Sequence, residues 1–266
     1  MKKVNYHIHT TGSDGKLKPE ELIKLAIKRK FDVLGITDHY HFPPNFRNWG
    51  NEFYSDEHYK ELNNLKRIYA HKIKILVNVE FDWIKDYKKW IKKEAIKRKY
   101  DYRFISVHFI KVGKGYIPLD HNERTFQKMI KDIGGIKKLV KNYYLSLRDA
   151  IKTGCFDVVG HLDIIKIWNK NKKYFSEQEK WYKKEILKTL KLIKKKNMKI
   201  DLNTAGLRNP CAEQYPSLGI LKEAKKLKIS FLIGTDGHKS NELEAGLKKL
   251  KTYKYWVISV LILLFL

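Results

Sequence analysis

Val4-Asn5-Tyr6-His7-Ile8-His9-Thr10 is the stretch that decides the fold. A short apolar run ends on two histidines one residue apart. In an extended strand successive side chains alternate between faces, so His7 and His9 point the same way. The pattern recurs along the chain. Strands are expected at Val4–His7, Val33–Thr37, Ile73–Val79, Arg103–Val107, Asp157–Gly160, Met198–Leu202 and Ser230–Gly234. They run out into Thr37-Asp38-His39, Val79-Glu80, Ser106-Val107-His108, Gly160-His161-Leu162-Asp163, Leu202-Asn203 and Thr235-Asp236-Gly237-His238. Each therefore delivers an imidazole, a carboxylate or an amide at its C-terminal end. Amphipathic Lys-rich stretches lie between most of them. Pro19-Glu20-Glu21 opens one helix, with proline in the first turn and acids at the positive end of the dipole; Leu22, Ile23, Ala26 and Ile27 form its buried stripe. Trp181–Lys196 forms another, carrying Ile186, Leu187, Leu190 and Ile193. Strand–helix alternation implies a parallel sheet or barrel. Seven strands imply an α/β, barrel-like closure with one strand fewer than the common eight, and a site on the rim at the C-terminal strand ends.

The residue types on that rim define the chemistry. Six of the chain's ten histidines fall there, with Glu80 and Asp236 beside them. A single buried histidine is more often a satisfied core residue, but six at corresponding positions are not. Histidine and carboxylate donors without cysteine suit Zn²⁺, Mn²⁺ or Fe²⁺ and exclude an iron–sulfur site. The donors outnumber the three or four protein ligands of one zinc. Two or three divalent ions sharing a bridging carboxylate account for the excess.

Composition sets the frame. The chain has 266 residues, 43% hydrophobic and 32% charged, enough for one sizeable core, and no linker or fixed-period repeat divides it. One domain over 1–266 is expected. The net charge of +27 fits a nucleic-acid partner or a lysine-rich proteome. Lysines scattered as Lys92-Lys93, Lys137-Lys138, Lys172-Lys173 and Lys194-Lys195-Lys196 favour the second, and the charge would help to steer any phosphorylated substrate. Cys155 and Cys211 lack metal-type spacing and are expected as free thiols; with no apolar signal core at the N-terminus, the expected location is cytoplasmic. The tail at about 253–266 is almost wholly apolar but shorter than the ~20 residues of a spanning helix. It reads as a buried terminal strand or helix, or as a surface-associated or self-associating tail. The aromatic, Pro- and Asn-rich stretch Phe42–Tyr59 reads as a long loop, either a packed excursion or a cover over substrate.

These motifs resemble the polymerase-and-histidinol-phosphatase (PHP) superfamily. His7-Ile8-His9-Thr10 and Ile36-Thr37-Asp38-His39 resemble its entry motifs. Val79-Glu80-Phe81-Asp82, Ser106-Val107-His108-Phe109, Val159–Lys166 and, above all, Leu202-Asn203-Thr204-Ala205-Gly206-Leu207-Arg208 with Tyr215-Pro216-Ser217 are similar to its histidinol-phosphate phosphatases. The resemblance spans roughly residues 4–248. It implies a distorted (β/α)7 barrel with a trinuclear metal site. One ion would take His7, His9, Glu80 and Asp236; a second Glu80, His108 and His161; a third His39, His238 and a first-loop ligand. Asp14 is the candidate for that last place, where many relatives use histidine; the alternative is a turn residue beside Gly15. The implied reaction is hydrolysis of L-histidinol phosphate in histidine biosynthesis. Arg208 would clamp phosphate, or be an ordinary surface arginine. Asp38 would orient a ligand or handle a proton, and His41, Lys166, Asn203 and Tyr215 would line the pocket. The rival reading is a PHP phosphoesterase acting on oligonucleotides, favoured by the charge and opposed by the Asn203–Arg208 segment. A non-enzymatic binding module would require lost ligands, and no expected position of the first two ions is missing. No obligatory nucleic acid is expected, and oligomeric state stays open.

Overall fold

The computed structural model describes residues 2–46 and 54–252. Its strands are β1 (Val4–Ile8), β2 (Val33–Ile36), β3 (Lys74–Val77), β4 (Val79–Asp82), β5 (Arg103–Ser106), β6 (Phe109–Val112), β7 (Gly115–Pro118), β8 (Val158–Val159), β9 (Lys199–Asn203) and β10 (Phe231–Gly234). Two sheets are wholly parallel: β1-β2-β3, and β10-β9-β8-β5-β4. The antiparallel pair β6-β7 stands apart.

The two parallel sheets meet at both edges. At one edge His7 O accepts from Thr235 N (3.2 Å) and Asp236 N (2.8 Å), and His9 N donates to Gly237 O (3.0 Å), linking β1 to the end of β10. At the other, Glu80 N donates to Asp38 O (3.0 Å) and Tyr40 N to Glu80 O (2.8 Å), linking β4 to the extension of β2. The expected single strand Ile73–Val79 is instead broken at Asn78 into β3 and β4. The reason lies in Asn78 itself, whose buried amide donates to Tyr6 O (3.0 Å) and Thr37 Oγ1 (3.3 Å). The chain thus leaves one sheet and enters the other at that residue.

The helices are α1 (Pro19–Lys28), α2 (Asp56–Ile68), α3 (Lys88–Ala95), α4 (Glu123–Ile133), α5 (Ile136–Lys152), α6 (Lys180–Lys195), α7 (Leu218–Lys226) and α8 (Leu247–Thr252). Their starts follow local chemistry. Pro19 opens α1, and Glu21 reaches back to Lys18 N (2.9 Å). Ser55, Asn122 and Ser217 cap α2, α4 and α7 with side-chain oxygens. Ser55 also corrects the expected loop, because α2 begins at Asp56, inside Phe42–Tyr59. Residues 47–53 of that loop and the apolar tail from 253 lie outside the described residues.

One large core lies between helices and strands, including Leu22, Ile23 and Ala26 of α1 and Leu190 and Ile193 of α6. Ile27 is only partly buried, and Leu187, expected in the α6 stripe, is 39% exposed. A second, small cluster of Phe104, Val158 and Leu232, with Tyr6 and Tyr102 against it, lies on the other face of the strands. Phe104 meets the His7 ring edge-on at 4.9 Å, so this cluster forms an apolar floor under the polar rim. Cys155 and Cys211 are free thiols. Among the described residues no helix is long and apolar enough to cross a membrane.

Candidate metal centre

The strand ends converge. His7 and His9 come from β1 and its extension, Glu80 from β4, His108 and His161 from the residues after β5 and β8, and Asp236 and His238 from the turn after β10. Asp14 enters from the β1–α1 loop and His39 from the end of β2. Among the described residues four overlapping sets form, the donor atoms of each lying within 4.8 Å of one another: His7/His9/Asp236, Glu80/His108/His161, His9/Asp14/His39/His238 and His39/Asp82/His108.

Glu80 sits between the sets. Its Oε1 lies 3.0 Å from His161 Nε2 and accepts from the Ser106 hydroxyl. Its Oε2 lies 3.4 Å from His7 Nε2, 3.7 Å from His9 Nε2 and 3.1 Å from His39 Nδ1, yet accepts no hydrogen bond although fully buried. Asp236 Oδ1 lies 3.1 Å from His9 Nε2, while its Oδ2 accepts from the Asn203 amide (3.1 Å). Asp14 Oδ1 faces His238 Nε2 at 3.1 Å and His39 Nε2 at 3.9 Å. The His9 ring is stacked between His39 and His238, with centroids 4.4 and 4.3 Å away.

Carboxylates behind the rings set the tautomers. His7 Nδ1 donates to Asp201 Oδ2 (2.8 Å), and His108 Nδ1 to Asp82 Oδ1 (2.8 Å). With the proton fixed on Nδ1, each ring presents the Nε2 lone pair inward. There His7 Nε2 faces His9 Nε2 at 3.1 Å, and His108 Nε2 faces His161 Nε2 at 3.0 Å. At that distance a proton on the facing nitrogen, or a cation beside the pair, must separate the two lone pairs. A buried carboxylate oxygen without a donor carries the same demand. The residues thus fit divalent cations.

The electrostatics agree. Burial opposes ionisation of Glu80 and Asp236, but the surrounding imidazoles hold both well below the usual carboxylate range. Burial likewise opposes a charge on His7 and His108, and the facing carboxylates outweigh it, raising His108 to about 10. His9 goes the other way: burial, then His238 and His39, push it down to about 4. Without metal, protons would meet the negative charge of this cluster.

Other expected residues stand further off. Asp38 is tied to Thr10, Ser13 and His58. Asn203 donates to Asp201 (2.8 Å) and Asp236 and so aims the latter. Arg208 Nη2 donates to Thr235 O (2.8 Å) and Asp236 O (3.0 Å), with Nε 3.9 Å from Glu242. It clasps the turn in which Asp236 adopts a left-handed φ of 50°, a strained value for a non-glycine residue. Gly206 makes room for the chain itself: a Cβ there would lie 2.0 Å from Glu213 O. Lys166 is buried against Asp163 (3.1 Å) and Glu213 (2.9 Å), with Nζ 5.6 Å from the centre of the Tyr215 ring. Tyr215 is buried, its ring centroid 6.4 Å from that of His161. His41 lies against Tyr40 and Trp90, outside the donor sets.

Asp201, Asp82 and Ser106 escaped the sequence reading. A signal existed: Asp201 lies two residues before Asn203 and Asp82 two after Glu80, so period-two alternation puts each on the rim face.

A parallel α/β scaffold with metal-binding donors on its strand ends is the architecture of a PHP domain. Residues 5–205 match the PHP domain, and the chain belongs to that family. It is 28% identical over 261 residues to the histidinol-phosphatase of Bacillus subtilis strain 168, covering 91% of this chain and 96% of that one. A candidate histidinol phosphatase from Listeria monocytogenes superposes with TM-score 0.84 at 22% identity, covering 93% and 99% of the two chains. A Lactococcus lactis histidinol phosphate phosphatase, complexed with zinc, L-histidinol and phosphate, gives TM-score 0.72 at 23% identity, covering 94% and 93%.

Proposed function

We propose that this protein is a metal-dependent histidinol-phosphatase, hydrolysing L-histidinol phosphate to L-histidinol and phosphate. The observation that carries the reading is the pair of facing Nε2 contacts around the unsatisfied Glu80 carboxylate. Support for the substrate comes from the Bacillus subtilis relative, which spans nearly the same length, and from the ligands of the Lactococcus lactis protein. The two parallel sheets, hydrogen-bonded at both edges, are read as one distorted (β/α)7 barrel in which β3 and β4 share a single strand position. The whole chain is read as one catalytic domain, cytoplasmic, with no obligatory nucleic-acid partner.

His7, His9, Glu80 and Asp236 would hold one divalent ion (zinc, manganese or iron); Glu80, His108 and His161 a second; and Asp14, His39 and His238 a third. Bound ions there supply Lewis acidity, neutralising charge on the phosphoryl oxygens and lowering the pKa of water. The protein's own share is positioning. Asp201 and Asp82 fix the His7 and His108 rings, and Asn203 occupies Asp236 Oδ2 so that Oδ1 faces inward. Arg208 is read as serving twice: Nη2 steadies the Asp236 turn, and the rest of the guanidinium meets phosphate charge. Asp38 has no free oxygen with which to take a proton.

The test is phosphate release from histidinol phosphate, other phosphomonoesters and short oligonucleotides, with and without chelator. Preference for histidinol phosphate, abolished by chelator and restored by Mn²⁺ or Zn²⁺, is expected. Full activity in metal-free protein sinks the metal-dependent reading, and a preference for oligonucleotides transfers the assignment to the rival substrate class.

A further inference from the structure

Behind the loop that carries Asp14 lies a buried hydrogen-bonded pair that the proposed reaction does not use. His58, in the first turn of α2, places Nε2 2.8 Å from Asp38 Oδ2. Asp38 is wholly buried and His58 only 8% exposed. Every acceptor position of the carboxylate is engaged. Oδ1 accepts from Thr10 N (2.6 Å) and Ser13 Oγ (2.9 Å); Oδ2 accepts from Thr10 Oγ1 (2.7 Å) and His58. Thr10 and Ser13 belong to the loop between His9 and Asp14. That loop is further folded on Thr10, whose carbonyl accepts from Ser13 N (3.0 Å) and Gly15 N (2.9 Å).

The His58 ring also sets the loop's position by contact. A Cβ on Gly12 would lie 2.0 Å from His58 Nε2, so only glycine lets the loop come this close. Beside it, Tyr54 N donates to Gly12 O (3.0 Å). His58 also lines a cavity of about 400 Å³ with Thr11, Gly12, Ser55, Glu57 and Glu61, so one side of its surroundings is open. The hydrogen bond to Asp38 and the Tyr54 ring, edge-on at 5.2 Å, anchor the ring on the other side.

We propose that His58 is a positioning residue for the Asp14 cation site. By completing the hydrogen-bond shell of Asp38, it holds the Thr10–Gly15 loop so that Asp14 faces His39 and His238. This rests on the reading that those three residues hold a divalent ion. Asp14 is a half-exposed side chain on a loop, with Ser13 Oγ 3.3 Å and His238 3.1 Å away, so its aim depends on the loop. The donors His7, Glu80 and His108 are instead carried at strand ends and steadied by Asp201, Ser106 and Asp82. Removing His58 leaves a buried carboxylate short of one donor, an expensive state that the loop relieves by shifting. The effect is therefore selective for the Asp14 site.

The experiment is a Mn²⁺ titration of the full chain, read by metal counting and by paramagnetic resonance of free Mn²⁺. Folding of each metal-free variant is checked by circular dichroism. His58→Ala is expected to weaken the weakest Mn²⁺ class by about 10–100-fold, as loss of a residue behind a ligand typically does, while tighter classes stay unchanged. His58→Gln, which keeps a side-chain N–H donor, should recover most of the affinity. Gly12→Ala, which pushes the ring away, should reproduce the loss. Asp14→Ala separates the two readings. If Asp14→Ala loses the weak class while His58→Ala and Gly12→Ala keep it, the positioning role is overturned and the cation site stands. If Asp14→Ala binds Mn²⁺ as the unmodified chain does, the cation site is wrong and the positioning role falls with it.

Discussion

At the scale of single residues, Glu80 is where the charges meet. Its two oxygens face different imidazoles, His161 on one side and His7, His9 and His39 on the other. Glu80→Gln keeps the shape and removes the charge from every set it serves. We expect it to lose more metal after purification than any single His→Ala variant, measured by elemental analysis. A Glu80→Gln protein with full metal content and rate would contradict the bridging role. Asp201→Asn tests the layer behind. An amide can donate to His7 Nδ1 and so turn the lone pair of the ring away from the site. Metal affinity should fall about 10–100-fold, with the unfolding midpoint of metal-free protein nearly unchanged. The donor residue types were legible because six histidines marked strand ends. Asp201 and Asp82 were not singled out: alternation with Asn203 and Glu80 places them on the rim face, but the rings they support, His7 and His108, are distant in sequence.

At the scale of elements, strand identity was legible from short apolar runs, and breaks were not. Asn78 divides one predicted strand through hydrogen bonds to Tyr6 and Thr37, contacts distant in sequence. The β6–β7 hairpin was missed because Gly113-Lys114-Gly115 lies in a stretch of mixed composition with no clean alternation. The pairing of helices is likewise invisible in a single amphipathic stripe. Between α5 and α6, Arg148 Nη2 donates to Glu185 Oε2 (2.6 Å) and Nη1 to Thr189 Oγ1 (3.0 Å), all three residues being buried. Glu185→Ala strands a buried guanidinium and should destabilise the fold by about 3 kcal/mol, as for other broken buried pairs. Denaturant unfolding at neutral pH checks this. Burial opposes ionisation of Glu185, but Arg148 and Lys188 outweigh it and hold its carboxyl below the ordinary value of 4.5. With a depressed folded pKa, the contribution is present above pH 4.5 and fades as pH falls through the folded value. The gap between Glu185→Ala and the unmodified chain should therefore close in acid below that point. A gap that is constant with pH would show that the pair contributes no ionic stabilisation.

At the scale of the whole molecule, alternating strands and helices made the seven strand positions legible, but not how the sheets join. The edges meet through backbone bonds of Thr235, Asp236, Glu80 and Tyr40, and backbone groups leave no trace in residue type. Charge is the other whole-molecule property. The 56 basic residues behind the net +27 are spread over many helix faces, and some of them are paired with acids on the surface, as in Lys66–Asp101, Lys88–Asp149, Lys111–Asp86 and Lys226–Glu223. Such pairs remove local patches without removing the long-range excess. A dianionic phosphate monoester approaching this surface is attracted before it touches any residue, and the attraction is screened over about 8–10 Å at 0.1–0.15 M salt. Salt should act on encounter and leave the bound complex alone. We expect kcat/KM for histidinol phosphate to fall several-fold, within the range of about 10-fold or more that steering can supply, as NaCl is raised from low to high concentration, with kcat held constant. An uncharged phosphotriester that binds competitively should show no such dependence in its inhibition constant. If kcat and kcat/KM fall together, salt is displacing metal or disturbing the fold, and metal counting at each salt concentration identifies that case. If kcat/KM is flat, the excess lysines do not guide substrate and belong to solubility or to another anionic partner.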